Sequence, residues 1–236
     1  MAIDDLPLPV VNLLNVIGVP WPYINENTVW QFAALVRAFR QAVINTHRNA
    51  TEAVHKIAKA HRSASSEAMT SGWANLTASQ VDEITAGCTV LADALDAAGG
   101  YIVAQKAIAI ADLVGLAAAF FADQAAAFVT FGVSEAALPL IDEAARVIVK
   151  SLEIDLTQYI AGRVIEEAAK PLLAKVKDFL SGLDWSQSGG KSGPQPGLSV
   201  DPAAVATEAV VLRQQAAALR AQAQDLAAQV RALKFG

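Results

Sequence analysis

From Val29 onward, apolar or small residues fall at positions 29, 32, 36, 39, 43, 46, 50, 53, 57, 60 and 64. Alternating steps of three and four keep these positions on one face of a helix, so the spacing predicts a long helix with a single seam. The first half of the seam is large and apolar (Val29, Phe32, Val36, Phe39, Val43), and the second half is alanine-rich. Arg37, Arg40, Arg48, Lys56, Lys59 and Arg62 lie largely off it. The pattern breaks at Thr70-Ser71-Gly72-Trp73-Ala74-Asn75. Gly72 suits a helix C-cap, and Asn75 or Thr77 suits the cap of the next helix. That second helix is expected from about residue 78 to 131, with a falter at Gly99-Gly100. Its first part carries Asp82, Glu83, Asp93 and Asp96 and no basic residue. Folded back on the basic first helix, it is electrostatically matched. Exposed pairs of this kind contribute about 0–1 kcal/mol each, so they set register more than stability.

A third helix is expected over 135–181, with Pro139 in its first turn and a kink at Pro171, which lacks the amide proton of a helix interior. Gly182 ends it, with Leu183 placed for the hydrophobic contact of a glycine cap. Residues 183–200, rich in Gly, Ser and Pro, read as a flexible linker. Asp201-Pro202 then opens a last helix, a cap followed by proline at the first helical position. Leu212, Leu219, Leu226 and Leu233 recur every seven residues along it, with alanines or valines between. At the other end, Pro7, Pro9, Pro20 and Pro22 interrupt residues 1–27, which read as an irregular lead-in with one short apolar helical turn between Val10 and Val19. Asn25 or Asn27 is placed to cap the long helix. The expected fold is all-α. It is a bundle of long antiparallel helices over 28–182, with a heptad-patterned helix over 201–236 tethered by the linker.

Composition supports helices over sheets. Of 236 residues, 54% are hydrophobic but only 6% aromatic. Alanine supplies much of the difference, and it is the strongest helix former. A net charge of -5 argues against a nucleic-acid surface. Cys88 is the single cysteine, so neither an internal disulfide nor a cysteine metal site is available. Asp4 and Asp5 replace the basic start of a cleaved signal peptide, and prolines break the apolar stretch behind them.

Catalytic and cofactor patterns are fragmentary. Glu52-Ala53-Val54-His55 has the Glu-x-x-His spacing of di-iron bundles, which need two such motifs, and no histidine follows His61. His47 and His61, two heptads apart, share a face as a pH sensor would require. Gly189-Gly190-Lys191-Ser192 matches the end of a phosphate loop, but Trp185 stands where its first glycine belongs. The carboxylates of the third helix read as a solvated face, and Cys88 as a buried structural thiol. No catalytic residue, cofactor or metal is expected. The segment Ala107–Val133 is long enough to span a bilayer, yet Asp112 and Asp123 interrupt it. A buried bundle helix is the favoured reading, with a helical pore-former as the alternative.

At Gly72-Trp73-Ala74-Asn75, between two long helices, the chain resembles the WXG-type helical hairpins of type VII (ESX-like) secretion. The third position of the Trp-x-Gly turn is Asn75 here. Gly18-Val19-Pro20-Trp21-Pro22-Tyr23-Ile24-Asn25-Glu26 resembles the Trp-Pro segment that opens the WXG-like N-terminal domain of large actinobacterial secreted toxins. The resemblance spans residues 17 to about 181. It implies a non-catalytic interaction module, an adaptor or scaffold for a toxin, a WXG-type partner or a second copy, working with the secretion machinery. It implies a cytoplasmic start and export to the medium or cell surface without a cleaved signal. The usual Tyr-x-x-x-Asp/Glu export tag is missing, since Tyr23, Tyr101 and Tyr159 are followed four residues on by Asn27, Gln105 and Arg163. A cytosolic coiled-coil protein is the remaining alternative. Leu212, Leu219, Leu226 and Leu233 are expected to form the assembly seam.

Overall fold

The computed structural model describes residues 6–60, 64–130, 138–182 and 201–235. Helices α1 (Leu8–Ile17), α2 (Glu26–Ala60), α3 (Ala64–Thr130) and α4 (Leu138–Tyr159) come first. A π-helical stretch, Ile160–Ala169, then leads directly into α5 (Lys170–Gly182), and α6 (Pro202–Ala232) closes the order. No strand occurs among the described residues, and the fold is an all-α helical assembly. The linker 183–200, with its glycine-lysine motif, lies outside them.

The α2 seam is as its spacing requires: every position from Val29 to Ala60 is buried or half-buried. Asn25 is the cap, its Oδ1 accepting from the amides of Asn27 (3.0 Å) and Thr28 (3.3 Å). Two backbone amides that the first turn leaves orphaned are thereby satisfied.

The lead-in is more ordered than its prolines suggest. Pro7 and Pro9 fall at the cap and first turn of α1, where a missing amide proton removes no helical bond. Gly18 closes α1 in the left-handed region (φ 68), and the Val19 amide reaches back to the Leu14 carbonyl at 3.1 Å. Val10, Leu13 and Leu14 are buried.

The turn expected at Gly72, Trp73 and Asn75 is not there. α2 ends at Ala60, α3 begins at Ala64, and residues 72–75 lie inside α3. Glycine in a helix interior costs about 1 kcal/mol and asparagine less, and tertiary contacts of Trp73 outweigh that. The falter expected at Gly99-Gly100 is also absent, for a different reason. A Cβ on Gly99 would collide with the Trp30 indole at Nε1, so the missing side chain makes room for the ring. Pro171 does perturb its helix, but as the π-helical stretch just upstream. Wider winding there shifts the carbonyl that the proline ring would otherwise crowd.

The chain divides into two compact units whose boundaries cut through helices. Unit 1 comprises Met1–Gln31, Ala94–Glu166 and Leu233–Gly236. Its core includes Leu13 of α1, Ala117 and Phe120 of α3, and Ile141 of α4. Unit 2 comprises Phe32–Asp93 and Glu167–Ala232. Within it Arg37 pairs with Asp93 at 3.0 Å, and Arg40 Nε donates to the Thr85 carbonyl at 3.1 Å. Residue numbers rise on α2 as they fall on α3, so the two run antiparallel. Lys175 approaches Glu83 at 3.8 Å, and Leu172 closes over Gly87, which places α5 against α3.

Candidate functional site

Three clusters carry the residues singled out by sequence. The first surrounds the Trp-Pro segment in unit 1. Trp21 is buried, its Nε1 meeting no hydrogen-bond partner among the described residues, and Pro22 is half-buried. Glu26 is only 1% exposed and pairs with Lys106 of α3, itself fully buried, at 3.1 Å. Lys106 Nζ also donates to the Ile24 carbonyl. One ammonium thus fixes both the carboxylate that starts α2 and the backbone just before it. The C-terminal end adds a clasp: the Phe235 carbonyl accepts from the Asn25 amide at 2.9 Å, and the Lys234 carbonyl from Thr28 Oγ1 at 2.8 Å. Arg146 of α4 holds the end of α1, donating to the Ile17 carbonyl at 2.8 Å while paired with Asp142.

Glu26 was visible in the sequence, but Lys106 was not singled out. Its signal is that it is the single basic residue among the 67 of α3, set in that helix's apolar half. Almost no lysine is fully buried without a partner, so its position asks for a buried acid.

The second cluster, in unit 2, is built on Trp73. The indole Nε1 donates to Thr51 Oγ1 at 3.0 Å, and the ring stacks on His47 with centroids 6.0 Å apart and planes 14° off parallel. Thr51 Oγ1 in turn bonds back to the His47 carbonyl at 2.9 Å. Trp73 therefore ties α3 to α2 near the ends where they meet, although it stands in no turn. Burial pushes the His47 pKa below its ordinary value, and the nearby Asp82 only partly offsets this. His61, its proposed companion, lies outside the described residues. Because the unfolded chain binds the proton more readily, stability should fall as pH drops through the ordinary histidine value of about 6.5. The loss levels off below the depressed folded value. Urea midpoints measured between pH 8 and pH 5 should show this dip, and His47→Gln should flatten it.

The third cluster is the C-terminal seam. Asp201 caps α6, its Oδ1 accepting from the amides of Ala203 and Ala204, both at 3.1 Å. Leu212, Leu219, Leu226 and Leu233 are all half-buried. Within unit 2, α6 lies along α2. Asn49 meets Gln215, Lys56 meets Glu208 at 3.7 Å, and the Asp201 amide donates to the Ala60 carbonyl at 3.3 Å, so α6 runs antiparallel to α2. Half of the stripe's surface is covered within its own chain.

Reactive chemistry is not assembled around these groups. Burial raises the Cys88 thiol pKa, with Arg40 acting weakly the other way, which disfavours the thiolate a nucleophile needs. Among the described residues no three His, Cys, Asp or Glu side chains gather as metal ligands would.

A family model described as a WXG100 like domain matches residues 5–147. The chain belongs to the WXG100-like family. Neither the curated proteins nor the solved structures contain a match to it. The WXG100-like match takes in α1, α2, α3 and the start of α4, and with them the Trp21 segment, the buried ion pair and Trp73. It is a family of helical proteins associated with type VII secretion and acting through protein–protein contacts.

Proposed function

We propose that this chain is a non-catalytic helical interaction module of type VII secretion, serving as adaptor or scaffold for a secreted toxin or other protein partner. It starts in the cytoplasm and leaves by that route. The observation that carries the reading is that the family match covers both the Trp-Pro segment and the hairpin around Trp73. The Trp-Pro segment is held by the buried Glu26–Lys106 pair and Trp73 by half-buried contacts with Thr51 and His47, contacts that fix shape. Fractionating the producing cell tests this. The protein should reach the medium or envelope in the parent strain and stay inside when the type VII ATPase is deleted. Equal amounts outside in both strains would refute it.

A membrane-active second reading has one observation behind it. Within α3, Gln80–Ala122 is long and apolar enough to cross a bilayer by length and composition. The core helix of a soluble bundle meets the same criteria.

A further inference from the structure

Two tyrosines of unit 1 meet face to face. Tyr101 of α3 and Tyr159, the last residue of α4, stack with ring centroids 4.0 Å apart and planes 10° off parallel. Aromatic pairs normally settle offset or edge to face, with centroids about 4.5–7 Å apart, because directly stacked ring faces repel through their quadrupoles. Phe120 and Phe121 show the usual solution, edge to face at 5.2 Å. The tyrosine pair is closer than that, and both residues are only half-buried, so burial of apolar area gives little account of the stack. Tyr159 stands where α-helical winding gives way to the π-helical stretch, and wide turns of this kind recur at functional sites. One turn either side of Tyr101, Ala97 and Ala104 are exposed, and one turn on from Tyr159 a Cβ at Gly162 would meet nothing within 4 Å. These small neighbours leave the edges of the pair open to solvent.

What two touching phenols offer is oxidative coupling. We propose that Tyr101 and Tyr159 form an intramolecular cross-linking site, joined carbon to carbon by a haem peroxidase with hydrogen peroxide as oxidant. Each phenol gives up one electron and its hydroxyl proton, leaving two phenoxyl radicals. The radicals combine at the ring carbons beside the hydroxyls, forming one C–C bond. The hydrogen displaced from each of those carbons passes as a proton to its oxygen, so both phenols are restored. The two electrons and two protons taken from the pair reduce one peroxide to two waters. Coupling within one chain is favoured where the rings already touch, and the stack supplies that contact in the folded protein. The product ties α3 to α4 covalently. Cys88 is the single cysteine, so no internal disulfide can do the same. Tyr23, the third tyrosine, is 61% exposed and marks the ring that unguided oxidation would attack first. The site is independent of the secretion reading.

Oxidation of the purified full chain with a haem peroxidase and stoichiometric hydrogen peroxide tests this. The expected product has dityrosine fluorescence, is lighter than the parent by two hydrogen atoms, and still runs as a single chain on a denaturing gel. Proteolysis should release one linked peptide pair carrying residues 101 and 159. Tyr101→Phe and Tyr159→Phe keep both rings and remove one phenol. Each should cut the intramolecular product by roughly tenfold or more at unchanged helix content, because the positioned partner is lost. Tyr23→Phe should leave that product as in the parent. Dityrosine formed only by Tyr23 between separate molecules would overturn the proposal. So would an intramolecular product indifferent to Tyr101→Phe, or no dityrosine at all. The same linked peptide should be recovered from the chain isolated from peroxide-stressed producing cells, and its absence there would overturn the site's use as a modification site.

Discussion

Replacing Lys106 with Met should destabilise the protein by about 3–5 kcal/mol, because it leaves the buried Glu26 carboxylate without its cation. Glu26 is 1% exposed and Lys106 fully buried, so water cannot take over for the missing partner. The Ile24 carbonyl loses its donor at the same time. Removing both charges should be far milder. Glu26→Leu with Lys106→Met deletes an ion pair whose mutual attraction only roughly balances the desolvation of its members, and an apolar pair of similar volume is often as stable. Urea unfolding followed by circular dichroism measures all four corners of this cycle. The expected pattern is a large loss in the single variant and recovery of most of it in the double. A double variant as damaged as the single would show that Lys106 acts through other contacts, and the idea of a compensated buried pair would fail.

What could be read from the sequence was whatever local chemistry decides alone. The α2 seam depends on side chains spaced at 3.5 residues, and Asn25 and Asp201 cap their helices through atoms two and three residues away. Features decided by distant partners were misread. Gly72 resembles a helix end, yet Trp73 is held to Thr51 and His47, contacts on another helix that no local pattern displays. Gly99 looks like a weak point, but it is the space Trp30 fills, and the Trp30 Nε1 donates to the Asp96 carbonyl at 3.4 Å. Four prolines argued for an irregular start. Two of them fall where a helix tolerates proline, and the apolar face of α1 then finds Phe120 and Ile141. The candidate site was half visible in the same way, Glu26 through a family resemblance and Lys106 only once α3 lay beside it.

Changing Leu219 and Leu226 together to Asp should release α6 from α2 and leave α1 to α5 folded. The heptad stripe showed that α6 needs a cover without showing which, since a seam of this kind fits its own bundle as well as another chain. The structure places α2 there, through Asn49, Lys56 and Ala60. Full burial of a leucine is worth about 1.5–3 kcal/mol. Half-buried, the two contribute on the order of 2 kcal/mol together, and burying a carboxylate at each site adds a further penalty. A combined loss of roughly 4 kcal/mol exceeds what the remaining half-buried contacts of α6 can hold, because none of its residues is fully buried. The core of Leu13, Phe120 and Ile141 does not involve α6 and should persist. Hydrogen exchange separates these effects by segment. The amides of 203–232 should lose protection in the double variant, those of 8–17 and 94–122 should keep it, and the exposed face of α2 should become faster only near Asn49 and Lys56. Unchanged protection over 203–232 would mean that the leucine stripe does not hold α6, and loss of protection throughout would mean that α6 is part of the cooperative core.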